Sequence, residues 1–379
     1  MSEAYIVAAL RTATGRRRGM YSDILPLTLS TIAVKEIVAQ TGVAPELVDD
    51  VILGCVTPMA EQGANIARLT ALNAHFPVTV PGVTINRMCG SSQQAVHFAA
   101  QAIMAGDMDF VVAGGVEHMT RVPMASDYPS SWPEDFPYEL VNQGISAELI
   151  AEKWGLTRVM LDEFSFASHQ KAAAATLDGL FADEIVPVPL PDAGAGPRDA
   201  RVDEGIRFEP NLAKMATLRP AFKEDGVITA GNSSQISDGA AALVIASERA
   251  IKRHNLTPMA RIVARVVVGD DPIFMLTGVI PATRQVLQRA GLSLDAIDIF
   301  EVNEAFASVV LAWLAEIRPD PAKVNPRGGA VALGHPLGAS GARIMTTLVH
   351  ALHQTGGRYG LQVMCIGHGM ATATIIERV

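Results

Sequence analysis

Residues 83–115, VTINRMCGSSQQAVHFAAQAIMAGDMDFVVAGG, place a turn, a helix and a strand in succession. Asn86 to Ser92 is a small, polar turn with Cys89 at its centre. From Ala95 the apolar residues recur at Phe98, Ala99, Ala102 and Ile103, the spacing of one helix face. The helix is expected to end near Gly106, and Asp109 to Gly115 reads as a buried strand with a glycine exit. A thiol at a helix N-terminus meets free N–H groups and the positive end of the dipole. This predicts a Cys89 pKa lowered toward the thiolate.

The same order returns near the other end of the chain. From Val324 a glycine-rich turn, Gly328 to Gly341, carries His335 between Gly334 and Pro336. Ile344, Met345, Leu348, Val349 and Leu352 then mark a helix face, Gly356-Gly357 stops it, and Leu361 to Ile366 reads as a strand. Upstream, Val48 to Gly54 and Ala296 to Val302 are both acidic leads into strands. The pattern predicts a duplicated α/β unit whose halves each offer a helix N-terminus to one site. Between the halves the composition changes: ten of the 22 prolines fall within residues 121–230, with Pro187, Pro189, Pro191 and Pro197 around a Gly-Ala-Gly stretch. A helical stretch from Ala147 to Ala175 rules out a disordered linker, so this part is expected to be an inserted lid. Core composition resumes near residue 231, with Ala240 to Ala246 as a buried strand.

With 379 residues, 49% of them apolar and 18% charged, the chain has material for a large, well-packed core. A net charge of −9 speaks against nucleic acid as the main partner. It also means that an anionic ligand must be met by local cations rather than by the overall field. The run Arg16-Arg17-Arg18 reads as a solvated turn. Cys55, Cys89 and Cys365 form neither a CxxC pair nor an even framework, which points to a reducing, cytoplasmic compartment. The start, with Glu3 and a short apolar stretch before Arg11, has the wrong order for a secretory signal, and no apolar run is long enough for a membrane span. No ligand cluster for a metal is evident.

Three segments demand a common explanation: the Cys89 turn, Gly334-His335-Pro336-Leu337-Gly338-Ala339-Ser340-Gly341, and Cys365 at a strand end before Ile366-Gly367-His368-Gly369. A strand ending in glycine sets open backbone amides beside its last side chains, an arrangement suited to oxyanions. Together with Asn303-Glu304-Ala305-Phe306-Ala307 and Asn325 to Gly341, these segments make the chain similar to the thiolases over nearly its whole length, from Ile6 to Arg378. The resemblance implies an α/β fold with a thiolase-like duplicated core. Two similar βαβαβαββ halves stack as α-β-α-β-α layers, with an inserted lid or loop domain. The implied division is 1–120 plus 231–260, the lid 121–230, and 261–379.

It also implies the chemistry. Cys89 would be the nucleophile toward a 3-ketoacyl-CoA, His335 its base, and Cys365 the acid and base for acetyl-CoA release and CoA attack. One oxyanion hole would combine His335 with a water held by Asn303, the other the N–H groups of Cys89 and Gly367. Arg219, Ser234, Met275 and Phe306 fall on positions expected to contact CoA or the acyl group. No permanently bound cofactor is implied, coenzyme A being a substrate, and the expected assembly is a homodimer or homotetramer. The chain departs from the family's usual run of glycines at His368, and Asn142-Gln143-Gly144 stands where short-chain biosynthetic members often carry His-Met-Gly. His368 is read as a structural accommodation or as tuning Cys365. The leading reading is degradative thiolysis; the alternatives are a biosynthetic acetoacetyl-CoA thiolase and a non-catalytic acyl-CoA or sterol-binding relative. The ketoacyl synthases share the duplicated fold but lack a second catalytic cysteine.

Overall fold

The computed structural model describes residues 3–191 and 198–379; Pro197 and the neighbouring Gly-Ala-Gly stretch lie outside the described residues. The first half runs β1 (Ala4–Thr12), α1 (Pro26–Thr41), β2 (Asp50–Gly54), α2 (Ile66–Asn73), β3 (Gly82–Ile85), α3 (Ser91–Ala105) and β4 (Phe110–His118). A long excursion follows, containing α4 (Gln143–Lys153) and α5 (Arg158–Leu177), before the chain returns as β5 (Ser237–Ser247). The second half comprises β6 (Ala260–Gly269), α6 (Val279–Ala290), β7 (Ile299–Val302), α7 (Ala307–Ile317), α8 (Ser340–Thr355), β8 (Tyr359–Ile366) and β9 (Met370–Arg378).

Strand order is β7-β8-β9-β6-β1-β5-β4-β2-β3. Outward from the β1–β6 junction the order is palindromic. β9 and β5 flank the centre antiparallel, β8 and β4 follow antiparallel to them, and β7 and β2 lie parallel to those. Val324 bridges Phe300 of β7 in parallel, as β3 pairs with β2 in the other half. Across the sheet the halves pair at two described positions, Tyr5 with Arg261 and Ile6 with Ala260.

Three apolar layers follow from this order. One buried cluster joins α1 and α2 to the outer face of the first half. A second joins α6 and α7 to the outer face of the second half. Between them α3 and α8 share a cluster with inward strand residues of both halves, including Ala95, Ala99, Ala100, Met345, Leu348 and Val349. The small α3 residues let the two helices approach closely. The expected α3 face is therefore rotated: Ala95, Val96, Ala99, Ala100 and Ile103 are buried, whereas Phe98 faces solvent. The stretch from Ala147 to Ala175 is likewise two helices. Gly155 adopts a left-handed φ of 63°, and Thr157 caps α5 by accepting from the Met160 amide.

The excursion is tied to β1 by charge. Arg11, wholly buried, contacts Glu184 at 2.6 Å and Asp203 at 2.7 Å, and Asp203 also accepts from the Thr14 amide at 2.7 Å. No described helix is long and apolar enough to cross a membrane.

Two glycines set the distance between the halves. A Cβ on Gly115 would overlap the Gly338 carbonyl oxygen, and one on Gly341 would overlap the Gln93 amide nitrogen. We expect Gly341→Ala to lower stability by about 1–3 kcal/mol, the range for overpacking, in denaturant unfolding. Gly269→Ala is the control, since its added Cβ meets nothing within 4 Å. Equal effects at both positions would refute the close-approach argument.

Candidate active site

The turn before α3 is shaped by local hydrogen bonds. Asn86 Oδ1 accepts from the Met88 amide at 2.8 Å, and Ser91 Oγ donates to the Met88 carbonyl at 2.6 Å. Met88 is held in the left-handed region at φ 46°. These contacts present Cys89 at the start of α3, with its thiol almost fully buried. The backbone N–H groups of Cys89 itself and of Gly367 face that thiol.

His335 comes from the corresponding turn before α8. Its Nδ1 lies 2.6 Å from Ser340 Oγ, which donates its single hydrogen to the Pro336 carbonyl at 2.8 Å. Ser340 therefore accepts from Nδ1–H, which leaves Nε2 as the unprotonated, accepting nitrogen. Asn303, at the end of β7, places Nδ2 3.5 Å from His335 Nε2 and 3.6 Å from Cys365 Sγ. Its Oδ1 is buried without a partner among the described residues, which suits an atom that holds a water. Cys365 ends β8 and is fully buried. Parallel pairing of β7 with β8, with Val302 opposite Val363, is what sets Asn303 beside Cys365.

Two buried carboxylates hold these turns. Glu117 accepts from the amides of Val56 (2.8 Å), Thr57 (3.2 Å) and Gly338 (2.9 Å) and from Gln62 Nε2 (2.9 Å). It thereby ties a first-half loop to the His335 turn. Glu304 accepts from Ser168 Oγ at 2.7 Å, Asn325 Nδ2 at 2.9 Å and the Val331 amide at 3.2 Å. The sequence reading missed Glu117 altogether. Its one signal was a carboxylate closing an otherwise apolar strand, which burial permits only with several donors.

Burial dominates the electrostatics. The Cys89 thiol is pushed up to about 12 by burial and by neighbouring Cys365, against the favourable pull of the two backbone N–H groups. The expected lowering by the helix N-terminus is thus corrected: desolvation of the thiolate outweighs the dipole. Cys365 is pushed up to about 11 by burial, with Asn303 pulling the other way. Burial, then the Arg343 guanidinium, depress His335 to about 3. The imidazole is neutral, and three uncharged groups face one another.

Cys89 and His335 line one end of a cavity of about 1000 Å³. Ser234, Phe306 and Leu276 also line it, as do Arg16, Arg17, Arg207 and Lys214. Of the residues expected from sequence, Cys89, His335, Ser234 and Phe306 therefore share the cavity, and Asn303, Cys365 and Gly367 stand directly behind its end. Arg219 is exposed and outside the lining, and Met275 is buried in the core behind Leu276. Arg16 and Arg17 are more than a solvated turn. Exposed as they are, they rim the cavity, because Gly15–Arg16 pairs with Ser237 and Asp238 of β5. His335, set in a turn, faces this cavity rather than bulk water.

The family model described as "Thiolase, N-terminal domain" matches residues 4–249, and "Thiolase, C-terminal domain" matches residues 256–378. A steroid 3-ketoacyl-CoA thiolase of Mycobacterium tuberculosis is 50% identical, over all of this chain and 95% of that protein. A 3-oxoadipyl-CoA/3-oxo-5,6-dehydrosuberyl-CoA thiolase of Escherichia coli is 43% identical over the full length of both. The crystal structure of a Bacillus anthracis acetyl-CoA acetyltransferase superposes with a TM-score of 0.93 at 38% identity, covering 100% of this chain and 99% of that one.

A thiol raised to about 12 is mostly protonated at neutral pH, and its thiolate fraction grows with pH. Alkylation of Cys89 by iodoacetamide, followed by mass spectrometry of its peptide, is expected to accelerate about tenfold per pH unit above neutrality. A rate that levels off below pH 8 would reveal a thiolate already stabilised in the resting protein.

Proposed function

The chain belongs to the thiolase family, and from that premise we propose that it cleaves 3-ketoacyl-CoA with CoA, in lipid degradation, through an acyl-enzyme on Cys89. The observation that carries this reading is the convergence of Cys89, His335, Asn303 and Cys365 at the end of one cavity, whose rim carries four cations on a net acidic chain.

In this reading His335 Nε2 takes the Cys89 proton as sulfur attacks the keto carbon. The pair is neutral before the reaction and charged only during it, so burial keeps the thiol quiet until substrate arrives. The charge on the keto oxygen meets the Cys89 and Gly367 N–H groups, while His335, now carrying the proton, and a water on Asn303 hold the enolate oxygen of the departing acetyl-CoA. Cleavage of the carbon–carbon bond leaves the acyl group on Cys89 and an acetyl-CoA enolate, which Cys365 protonates. The resulting Cys365 thiolate takes the proton of incoming CoA, whose sulfur attacks the thioester. The charge returns to the same acyl oxygen, again against the Cys89 and Gly367 N–H groups. Cys89 then leaves as thiolate and recovers its proton from His335, so every proton is accounted for. Run backwards, the steps are a Claisen condensation.

The anionic end of CoA would meet Arg16, Arg17, Arg207 and Lys214 at the rim, with Ser234 and Phe306 along the wall. Arg219 and Met275 would act at the margin of this path. The reading includes the inserted lid over residues 121–230 and no resident cofactor. It includes a homodimer or homotetramer, supported by the half-exposed edge strand β3. A cytoplasmic location is supported by three free cysteines.

The test is CoA-dependent cleavage of a 3-ketoacyl-CoA ladder, from acetoacetyl-CoA to long and bulky chains. Cys89→Ala is expected to abolish turnover. Cys365→Ala is expected to slow it by about 10²–10⁴-fold, with an acyl adduct accumulating on Cys89 by mass spectrometry. Full turnover by Cys365→Ala, or no cleavage by the folded wild type, would refute the mechanism.

A further inference from the structure

Three guanidiniums gather around His97 of α3 with no carboxylate to meet them. Arg87 precedes α3, Arg265 lies on β6, and Arg289 stands in the last turn of α6. Burial, then the charges of Arg265, Arg87 and Arg289, depress the His97 imidazole to about 3, which puts all three close to that ring. Burial and then Arg289 lower the Arg265 pKa as well, and no acid pulls it back. Their contacts are poor ones. Arg87 Nη1 reaches the Met370 thioether at 3.7 Å, Arg265 Nη1 the Met104 thioether at 3.2 Å, and Arg289 Nη1 the Arg265 carbonyl at 2.7 Å. A thioether is a weak acceptor. Among the described residues the Nε atoms of Arg87 and Arg265 are buried without a partner, and none of the three cations forms an ion pair. Phe98, next to His97, and Val267, two residues along β6 from Arg265, are exposed. Arg, Met and Phe at a half-buried patch are the composition of a protein interface, and cations left unpaired there are a standing cost that an anion relieves.

The complement is carried by the same chain. Residues 119–142 contain neither helix nor strand, and every residue of 129–139 is exposed. Asp127, Glu134, Asp135 and Glu139 fall in this arm, and no Lys or Arg occurs between Arg121 and Lys153. Trp132, Phe136 and Tyr138 turn their rings to solvent, with centroids 5.3 Å apart in the first pair and 6.4 Å in the second. Pro129, Pro133 and Pro137 restrict the backbone, so the arm has little freedom to lose on docking. Its base is fixed where Tyr128 packs on His368, ring centroids 6.0 Å apart. We propose that residues 129–139 of one copy of this chain seat on the Arg87, Arg265 and Arg289 patch of a second copy, carboxylates against guanidiniums and rings against Phe98 and Val267. The proposal rests on the homo-oligomer of the reading above and supplies its contact. Both surfaces lie on one chain and neither is satisfied within it, so a twofold axis lets each copy give its arm and receive the other. Exposed rings also suit guanidiniums through their faces. The half-exposed edge strand β3 leads through Asn86 into Arg87, which sets the patch beside the strand expected at the same seam.

The experiment replaces Trp132 by the photo-crosslinker p-benzoylphenylalanine in the full chain, separates crosslinked dimers by denaturing electrophoresis, and maps the joined peptides by mass spectrometry. Position 132 is expected to be joined, in the dimer band, to the peptide carrying Arg265 or Arg289. Sedimentation velocity at stepped concentrations gives the second readout. Glu134→Lys with Asp135→Lys is expected to weaken self-association by about tenfold or more, as is Arg289→Glu alone, and the three changes together to recover most of the loss. All three positions are exposed, and circular dichroism reports the fold. Crosslinks confined within one chain, or landing elsewhere on the second copy, would overturn the proposal, as would association unchanged by both charge reversals. A wild type that stays monomeric at every concentration would overturn the homo-oligomer reading, and this inference with it.

Discussion

Two helices from different halves must bring their N-termini to one point, and the rest of the molecule is arranged around that demand. Cys89 opens α3 and His335 precedes α8, so the site exists only if those ends nearly touch. Gly341 against Gln93, and Gly115 against Gly338, give the necessary separation because neither contact leaves room for a Cβ. Glu117 then fixes it, accepting amides from the loop after β2 and from Gly338 across the seam. The direct strand contact between the halves is two residue pairs long. Registration of Cys89 against His335 therefore depends on the helix layer and the carboxylate more than on the sheet.

The same geometry explains the electrostatic character of the site. Helix N-termini bring positive potential, yet the groups there are buried deeply enough that desolvation decides their charge. The result is a neutral thiol beside a neutral imidazole, with the backbone N–H groups of Cys89 and Gly367 facing the thiol. Four exposed cations, Arg16, Arg17, Arg207 and Lys214, line the cavity beside Glu209, where a net acidic protein needs them to receive an anionic ligand.

Much of this was legible from the residues. The repeated turn–helix–strand order foretold a duplicated architecture, and the palindromic strand order is its three-dimensional counterpart. The strand, helix and glycine positions around Cys89, His335 and Cys365 carried their signals locally, through spacing and turn chemistry. What escaped depended on distant partners. Phe98 shares a spacing-defined helix face with Ala99 and Ile103 yet faces solvent, because periodicity does not say which side of α3 faces α8. Arg16 and Arg17 looked like a solvated turn because only pairing with β5 brings them to the cavity. The direction of the Cys89 shift was missed because a sequence displays the dipole but not the depth of burial.

That depth has a chemical corollary at the other end of the reaction. In the proposed mechanism a thioester on Cys89 would stand on an almost fully buried residue of the cavity lining, away from bulk water. Water reaches such a bond only as a stray molecule, whereas a thiol delivered by its own tail arrives aligned. On that proposal the fate of the acyl group would be decided by access rather than by intrinsic reactivity: it would be handed to sulfur and conserved as an activated ester. The fold that makes its cysteine reluctant to ionise also makes the enzyme a transferase in preference to a hydrolase.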